Sequence, residues 1–296
     1  MSGYQALRES AAWLDLDARG RFRVLGEDRV RLLHAMTTNH IQQMKPGDSV
    51  YAFFLNAQGR IVGDANLLAL DDHFLVDTEP ENYDDIFQHL DRFIIADDVV
   101  LEDARQDTFA IGIEGPDAAA LLEKIEAPVR GSYTVTGAPG GRFYGPAAGK
   151  AAVLEQLASL GIPQASAQEA EIVRLEQHHP RYGADITNRH LVHETQMLHA
   201  VHFSKGCYIG QEIVERVRSR GQVHRLLVPL TIEGTTAPPA GTPVICGEET
   251  IGETTSAAFS PALGKVAAFA YIRSQHQCKT FQVAGAIAVA AATKGS

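Results

Sequence analysis

The chain has 296 residues, of which 45% are hydrophobic and 21% charged, and it carries a formal net charge of −10 at pH 7. This length is typical of about two domains, and this composition is typical of a globular protein with a buried core. The acidic balance argues against a dedicated nucleic-acid-binding protein, because such proteins normally carry a basic excess.

Targeting segments and cysteine usage both favour a cytoplasmic protein. The N-terminus lacks the apolar core of a signal peptide, and the apolar run 283–292 is shorter than the roughly 20 residues of a membrane span. The three cysteines, Cys207, Cys246 and Cys278, are an odd number without a C-x-x-C pair. This count argues against a disulfide framework and against a four-thiolate iron–sulfur cluster held by this chain alone.

Two segments in the first half follow the same pattern. Residues 22–33 read FRVLGEDRVRLL, and residues 109–122 read FAIGIEGPDAAALL. In both, an apolar run meets a glycine (Gly26 and Gly115), with an aspartate two positions later and a leucine pair beyond it. The pattern predicts a strand that turns through glycine into a helix, and therefore a duplicated α+β unit.

The last quarter of the chain differs from the rest in its pattern of apolar segments and turns. Short apolar segments separated by turns recur about every ten residues, which is typical of a small β-barrel or sandwich. These segments are 225–232, 242–246, 250–256, 265–272 and 280–284. We therefore predict two domains, an α+β region over 1–222 and a β domain over 223–296.

The segment 203–221, FSKGCYIGQEIVERVRSRG, is the strongest candidate for chemistry. Gly206 and Gly210 bracket Cys207, and glycine permits close approach of a ligand to the backbone. A thiol just before a helix N-terminus and two residues from Lys205 lies in a positive potential, which would lower its pKa and enrich the thiolate. The alternative is that Cys207 is a small buried hydrophobic residue. The nearby histidines match no metal-ligand spacing, and we predict no metal site.

Residues 205–212, KGCYIGQE, resemble the K-G-C-Y-x-G-Q-E motif of the YgfZ family, whose relatives include the folate-binding aminomethyltransferase (T-protein) of glycine cleavage. The resemblance implies an α+β fold with duplicated ferredoxin-like units and a C-terminal small β-barrel. These three lobes would surround a channel that binds tetrahydrofolate. Further similar segments are 36–39 (MTTN), 56–61 (NAQGRI), 174–176 (RLE), 180–186 (PRYGADI) and 241–244 (GTPV).

The resemblance also implies site residues. Asp64 follows the Q-G-R-I element at the position beside the reactive folate nitrogen, where a carboxylate can stabilise a cation or orient an amine. Its alternative is an exposed aspartate at a strand end. Glu176 matches the pterin-contacting glutamate, and its alternative is a helix-surface residue. We take Cys207, Asp64 and Lys205 as the catalytic group. The expected folate-binding residues are Glu176, Asn39, Tyr182, Tyr208, Gln211 and Arg216.

Arg216 and Arg220 share one face of the helix predicted after Gln211. Their guanidinium groups could meet the carboxylates of a folate glutamate tail or an RNA phosphate, or they could form a solvated surface.

Three functions remain open at this stage. The resemblance implies an accessory protein that binds tetrahydrofolate and supports the assembly or repair of iron–sulfur enzymes, including those that modify tRNA. Such a protein would be a monomer with transient protein clients and without direct nucleic-acid or membrane contacts. The alternatives are a folate-dependent aminomethyltransferase and a folate-binding module without turnover. The Cys207 element favours the accessory role, because T-proteins carry a different element there.

Overall fold

The computed structural model describes residues 1–127, 129–221 and 223–291. The helices are α1 (Gly3–Glu9), α2 (Arg29–Met36), α3 (Tyr83–Asp91), α4 (Ala118–Leu122), α5 (Lys150–Ser159), α6 (Ala167–Glu176), α7 (Val192–Thr195) and α8 (Gln211–Arg220). The strands before the barrel are β1 (Ala12–Asp15), β2 (Gly20–Leu25), β3 (Ser49–Leu55), β4 (Ile61–Ala69), β5 (Phe74–Thr78), β6 (Val100–Asp103), β7 (Thr108–Glu114), β8 (Val129–Gly131) and β9 (Gly140–Pro146). The barrel strands are β10 (Arg225–Ile232), β11 (Pro243–Cys246), β12 (Glu249–Ser260), β13 (Lys265–Arg273), β14 (Thr280–Val283) and β15 (Ala286–Ala290).

The first lobe is a five-stranded sheet in the order β3-β4-β5-β2-β6, and both faces of its strand β3 are buried. Ala52 and Phe54 pack with α2 and α3 on one face. Tyr51 and Phe53 belong to a second core on the other face, formed with residues 182–214. The sheet therefore lies between two layers, and side chains on its second face point into the middle of the protein.

The duplicated pattern forms the same local structure twice, in separate sheets. Strands β2 and β7 each end just before a glycine of positive φ, 98° at Gly26 and 133° at Gly115, and a helix begins three residues after each glycine. The second copy belongs to a four-stranded sheet in the order β1-β7-β9-β8. The prediction of a strand–turn–helix in both segments is confirmed.

The C-terminal strands close into a barrel in the order β10-β13-β12-β11-β14-β15. The predicted mixed α/β fold with a C-terminal small β-barrel is therefore confirmed, and the sandwich alternative is wrong. Strand β15, which the sequence did not reveal, closes the barrel by pairing with β10, Leu230 opposite Ala290. Its alanine-rich sequence gives little hydrophobic alternation, so the strand signal was weak. The predicted boundary residue 222 lies outside the described residues.

One disulfide lies within the barrel. Cys246 ends β11 and Cys278 precedes β14, the neighbouring strand, and their Cα atoms are 6.0 Å apart. The cysteine count argued against a disulfide framework and gave no sign of this single bridge, because the pairing depends on strand order. The bridge contradicts the use of the cysteines as support for a cytoplasmic location, since disulfides are rare in the cytosol. In residues 1–127, 129–221 and 223–291, no helix combines the length and the hydropathy needed to cross a bilayer.

A buried carboxylate joins the first two lobes. Asp77 on β5 accepts hydrogen bonds from Arg19 Nε at 2.6 Å, Arg142 Nη1 at 2.7 Å and the Tyr144 hydroxyl at 2.6 Å. Arg142 and Tyr144 lie on β9 of the second sheet. Burial alone would raise the pKa of Asp77, but the two guanidinium groups lower this pKa to about 2.

Gly26→Ala should destabilise the fold much more than Gly47→Ala. Both glycines have nearly the same φ, 98° and 96°, and this left-handed conformation costs a non-glycine residue about 1–2 kcal/mol. A Cβ at Gly26 would also collide with the carbonyl oxygen of Asp98, whereas no heavy atom lies within 4 Å of a Cβ at Gly47. Overpacking adds roughly 1–3 kcal/mol at Gly26 alone. Urea unfolding of both variants measures the difference, and equal losses would contradict the steric account.

Candidate functional site

Asp64 lies on β4 with its side chain on the central face of the first sheet. It pairs with Phe53 of β3, so both side chains point to the same side as Tyr51. The Tyr51 hydroxyl donates to Asp64 Oδ2 at 2.5 Å, and Asn82 Nδ2 donates to Oδ1 at 3.3 Å. Asp64 is only 4% exposed. The alternative of an exposed aspartate at a strand end is therefore wrong.

Burial raises the pKa of Asp64 to about 6. The hydrogen bonds from Tyr51 and Asn82 oppose this rise, and the charge of Glu79 adds to it. No direct ion pair neutralises the Asp64 carboxylate among the described residues. Asp64 can therefore exchange a proton near neutral pH, which is the property that general acid–base chemistry requires.

Aromatic rings border the Asp64 carboxyl. Tyr51 stacks on Tyr133, with ring centroids 5.2 Å apart, and on His199 at 5.8 Å. The Tyr133 hydroxyl lies 3.3 Å from Nε2 of His179. Burial lowers the pKa of His179 to about 4, so its imidazole is neutral at physiological pH. We call Tyr51, Tyr133, His179 and His199 the aromatic wall.

The loop that carries Cys207 is fixed by Lys205. The Lys205 ammonium is buried and donates to the main-chain carbonyls of His34 and Thr37 at 2.5 Å each, at the C-terminal end of α2. A cation at this end of a helix satisfies unpaired carbonyls. Burial lowers the pKa of Lys205 to about 7. The contacts of the lysine therefore attach the loop to the first lobe.

Cys207 itself is an exposed free thiol. The alternative of a buried hydrophobic cysteine is therefore wrong. Its neighbour Tyr208 is buried in the same core as Tyr51 and Phe53, and the Tyr208 hydroxyl has no hydrogen-bond partner in the described chain. The loop thus presents one thiol to solvent and one unpaired hydroxyl to the interior.

The two glycines of this loop, Gly206 and Gly210, have different structural roles. A Cβ at Gly210 would lie 2.7 Å from the carbonyl oxygen of Asn56, and a Cβ at Gly59 would lie 2.7 Å from Ile213. Gly210 therefore permits close packing on the β3–β4 turn. By contrast, no heavy atom lies within 4 Å of a Cβ at Gly206, which is open on its outer side.

Glu176 lies at the junction of α1, α6 and the barrel. Its Oε1 accepts from the Tyr4 hydroxyl at 2.6 Å and from Ser260 Oγ at 2.5 Å, and its Oε2 pairs with Arg8 Nε at 2.9 Å. These contacts join the N-terminal helix to the barrel. Oε1 is thus engaged by two hydroxyl groups, whereas Oε2 is buried and, apart from this ion pair, accepts no hydrogen bond among the described residues. The contacts described for Glu176 do not include Asp64 or the aromatic wall.

The other expected folate-binding residues differ in their contacts and in their exposure to solvent. Asn39 Nδ2 donates to the carbonyls of Tyr51 at 3.0 Å and His199 at 3.2 Å, so it supports the aromatic wall. The Tyr182 hydroxyl donates to the carbonyl of Val62 at 2.8 Å. Gln211 opens α8 and is partly buried, whereas Arg216 is exposed on the same helix.

A cavity of about 440 Å³ lies beside this region, between the first two lobes and α6. Its charged lining comes from three arginines and three acidic residues: Arg19, Arg174, Arg181, Asp15, Glu79 and Glu171. Asp64, Cys207 and Glu176 are not among its lining residues. Glu79 nevertheless connects the two regions, because it pairs with Arg19 and Arg181 and its charge affects Asp64. Among the described residues, no group of three potential ligands is placed to hold a metal ion.

Tyr51, Tyr133 and His179 were not predicted from sequence. Only Tyr51 had a usable signal: the β3–β4 hairpin pairs Phe53 with Asp64, and Tyr51 is two residues from Phe53 on the same face. Tyr133 and His179 come from the second lobe and from the segment after α6, so their approach depends on lobe packing.

Two family models match the sequence: the GCVT N-terminal domain over residues 2–134 and the glycine cleavage T-protein C-terminal barrel domain over residues 225–292. The aminomethyltransferase of Streptomyces avermitilis is 27% identical and covers 92% of this chain and 80% of its own length. That of Symbiobacterium thermophilum is also 27% identical, over 92% and 81%. The glycine cleavage system aminomethyltransferase T structure from Bartonella henselae aligns with a TM-score of 0.86 at 19% identity, over 98% and 88%. This last likeness establishes the fold.

Asp64→Asn should change the pH dependence of stability. The pKa of Asp64 is about 6 in the folded protein and 3.8 as its ordinary value, so the stability that protonated Asp64 provides is lost as the pH rises through 6. Asparagine does not ionise. Relative to wild type, the free energy of unfolding of Asp64→Asn should therefore rise by up to about 3 kcal/mol between about pH 4 and pH 8.

Asp77→Asn is the matched control with the opposite sign. The pKa of Asp77 is lowered to about 2, so its charged form stabilises the protein above the ordinary pKa, and the variant should lose stability at neutral pH. Denaturant titrations at several pH values measure both differences. If the two variants shift in the same direction, our account of their electrostatics is wrong.

Proposed function

The chain is a T-protein-like protein, and from that premise we propose that it binds a reduced folate next to Asp64 and acts on the one-carbon unit of that folate. The observation that carries this proposal is the Asp64 carboxyl, which is buried, lacks a direct cationic partner among the described residues, and has a pKa of about 6. Such a carboxyl is costly to bury. Its position is explained if a cation or an amine of a bound ligand interacts with it.

The surroundings of Asp64 suit a pteridine ligand. Flat heterocycles bind among aromatic side chains, and Tyr51, which donates to Asp64, stacks on Tyr133 and on His199. The Tyr208 hydroxyl, which is buried and has no partner in the described residues, can donate to a polar atom of the ligand. Oε1 of Glu176 would have to release Tyr4 and Ser260 to contact a pterin, so we assign Glu176 an architectural role in this proposal.

The first candidate activity is aminomethyl transfer. The relatives that match most of the chain are named aminomethyltransferases. In such a transfer, a positive charge develops when a C–N bond to the one-carbon unit ionises, and a fixed carboxylate stabilises that charge. Asp64 can provide this carboxylate above about pH 6, and its protonated form can return a proton to an amine.

The second candidate is the accessory role in iron–sulfur enzyme assembly or repair, including enzymes that modify tRNA. The exposed Cys207 supports this role, because a free thiol on a loop of fixed position can reach a protein client. The KGCYIGQE segment, which resembles the YgfZ family, supports it as well. In this case the folate site is retained, the partners are transient, and the protein acts as a monomer in the cytoplasm.

Titration with tetrahydrofolate and 5,10-methylenetetrahydrofolate tests the folate site. Wild-type protein should bind both ligands. Asp64→Asn and Tyr51→Phe should each weaken binding about tenfold, because each removes a charge or a hydrogen bond worth about 1–2 kcal/mol. Cys207→Ala should bind as wild type does, since its thiol is exposed. Absence of binding by folded wild-type protein would overturn the proposal.

Two parallel assays of Cys207→Ala separate the candidate activities. For an aminomethyltransferase, the variant should retain folate-dependent release of ammonia from an aminomethylated carrier protein, while Asp64→Asn loses at least about 100-fold in rate. For an accessory protein, Cys207→Ala should fail to restore iron–sulfur enzyme activity in a deletion strain. If Cys207→Ala fully restores iron–sulfur enzyme activity in that strain, the thiol has no role in the accessory function.

A further inference from the structure

Three arginines from different segments meet at the junction between the first lobe and the barrel. Arg60 ends the β3–β4 turn, Arg189 lies between α6 and α7, and Arg225 begins β10. Nη1 of Arg60 and Nη2 of Arg225 donate to one acceptor, the main-chain carbonyl of Arg189, at 2.5 Å and 3.2 Å. Because they share this acceptor, the two nitrogens lie within about 6 Å of each other. We call these three residues the arginine group.

The backbone that carries the arginine group is held by sheet contacts. Arg60 forms an isolated antiparallel bridge with Leu191. Arg225 is paired with β13 in the wall of the barrel, and its guanidinium carbon lies 5.1 Å from the centroid of the Tyr271 ring. The spacing of the guanidinium groups is therefore set by the packing of the first lobe on the barrel.

The arginine group carries more positive charge than its acidic partner balances. Glu194 is that partner, and its carboxylate lies 3.0 Å from Nε of Arg225 and 4.0 Å from Nη1 of Arg60. Oε2 of Glu194 also accepts from the Leu191 N–H at 2.9 Å. In the described part of the chain, Arg189 forms no ion pair with a carboxylate. Three guanidinium charges thus share one negative charge.

The buried His190 responds to this excess of positive charge. It is 4% exposed and stacks on Tyr271, with ring centroids 4.1 Å apart. Burial, followed by the charges of Arg225, Arg189 and Arg60, lowers the pKa of His190 to about 4. The three positive charges therefore act on one place in the protein, and the imidazole there is neutral at physiological pH.

From this geometry we propose that the arginine group binds the phosphate group of a small phosphomonoester. The side chains of Arg60 and Arg225 are 44% and 35% exposed, and Arg189 is exposed, so a ligand can reach all three. One phosphate group can accept charge-assisted hydrogen bonds from two neighbouring guanidinium groups.

The charge of the group favours a phosphomonoester over other anions. A phosphomonoester carries nearly two negative charges at pH 7, which matches the excess of two positive charges. A carboxylate, or one phosphodiester of a nucleic-acid backbone, carries a single negative charge. The net charge of −10 also disfavours a long nucleic-acid strand, which would be repelled by the rest of the surface.

Inorganic phosphate and glycerol 3-phosphate are the probes, with sodium acetate and sodium chloride at equal ionic strength as comparisons. The arginine Nε–H signals in ¹H–¹⁵N spectra at pH 7.5 report binding, and the signals of Arg60 and Arg189 are assigned by their loss in the variants below. Both phosphates should shift these signals in a saturable way and bind at least about tenfold more tightly than acetate. A single-stranded RNA oligonucleotide without a terminal phosphate should bind more weakly than glycerol 3-phosphate.

Four variants complete the test. Arg60→Gln and Arg189→Gln should each weaken phosphate binding at least about fivefold. The Arg189 side chain makes no hydrogen bond or ion pair with the described residues, so its variant remains informative if Arg60→Gln does not fold. Arg130→Gln is the matched control, because Arg130 is also 44% exposed but lies on β8 of the second sheet, and it should bind phosphate within about twofold of wild type.

Asp64→Asn should bind phosphate as wild type does, since the arginine group shares no residue with the proposed folate site. Loss of folate binding with retained phosphate binding therefore separates the two proposals. Equal responses to phosphate and acetate, tighter binding of the RNA oligonucleotide than of glycerol 3-phosphate, or equal losses in Arg130→Gln and Arg189→Gln would overturn the inference.

Discussion

The packing of the two α/β lobes depends on one buried carboxylate, Asp77. It accepts from Arg19, Arg142 and Tyr144, and the two arginines come from different parts of the chain. A charge buried in this way is tolerated only when its partners satisfy it fully. The two sheets must therefore stay at the distance that keeps these three partners on Asp77. The same packing places Tyr133 against Tyr51 and leaves a cavity next to Arg142.

Asp64 and Asp77 show how the same residue type acquires different chemistry in one sheet. Both lie on the central face and both are almost completely buried. Asp77 has two direct arginine partners, and its pKa is lowered to about 2. Asp64 has a tyrosine and an amide as hydrogen-bond partners, and its pKa is raised to about 6. Asp77 is therefore a permanent charge that holds the lobes together, and Asp64 is the group suited to proton exchange.

The Cys207 loop packs on two other segments that the sequence singled out, the β3–β4 turn and the C-terminal end of α2. The loop of Cys207 contacts the β3–β4 turn through Gly210 and Gly59, and it contacts the end of α2 through Lys205. Asp64 lies four residues after that turn ends at Arg60. A change in the Cys207 loop would therefore displace the β3–β4 turn, and the reverse. The packing of these two segments thus positions the Cys207 thiol, the Tyr208 hydroxyl and the Asp64 carboxyl.

The amino-acid sequence by itself predicted the two strand–turn–helix segments and the C-terminal barrel strands other than β15. It also marked Cys207 as a residue to examine, and a family resemblance added Asp64. These features follow from glycine conformation, apolar periodicity and short segments of characteristic residues, all of which act over a few neighbours in the chain. Tertiary structure alone decided that Lys205 caps α2, that Glu176 joins α1 to the barrel, and that Arg142 keeps two free donors. The contacts of Lys205 and Glu176 join groups from distant parts of the chain, and the free donors of Arg142 result from the same packing. Their charge and hydrogen bonding depend on how the lobes pack and how much water that packing excludes, which no local pattern encodes.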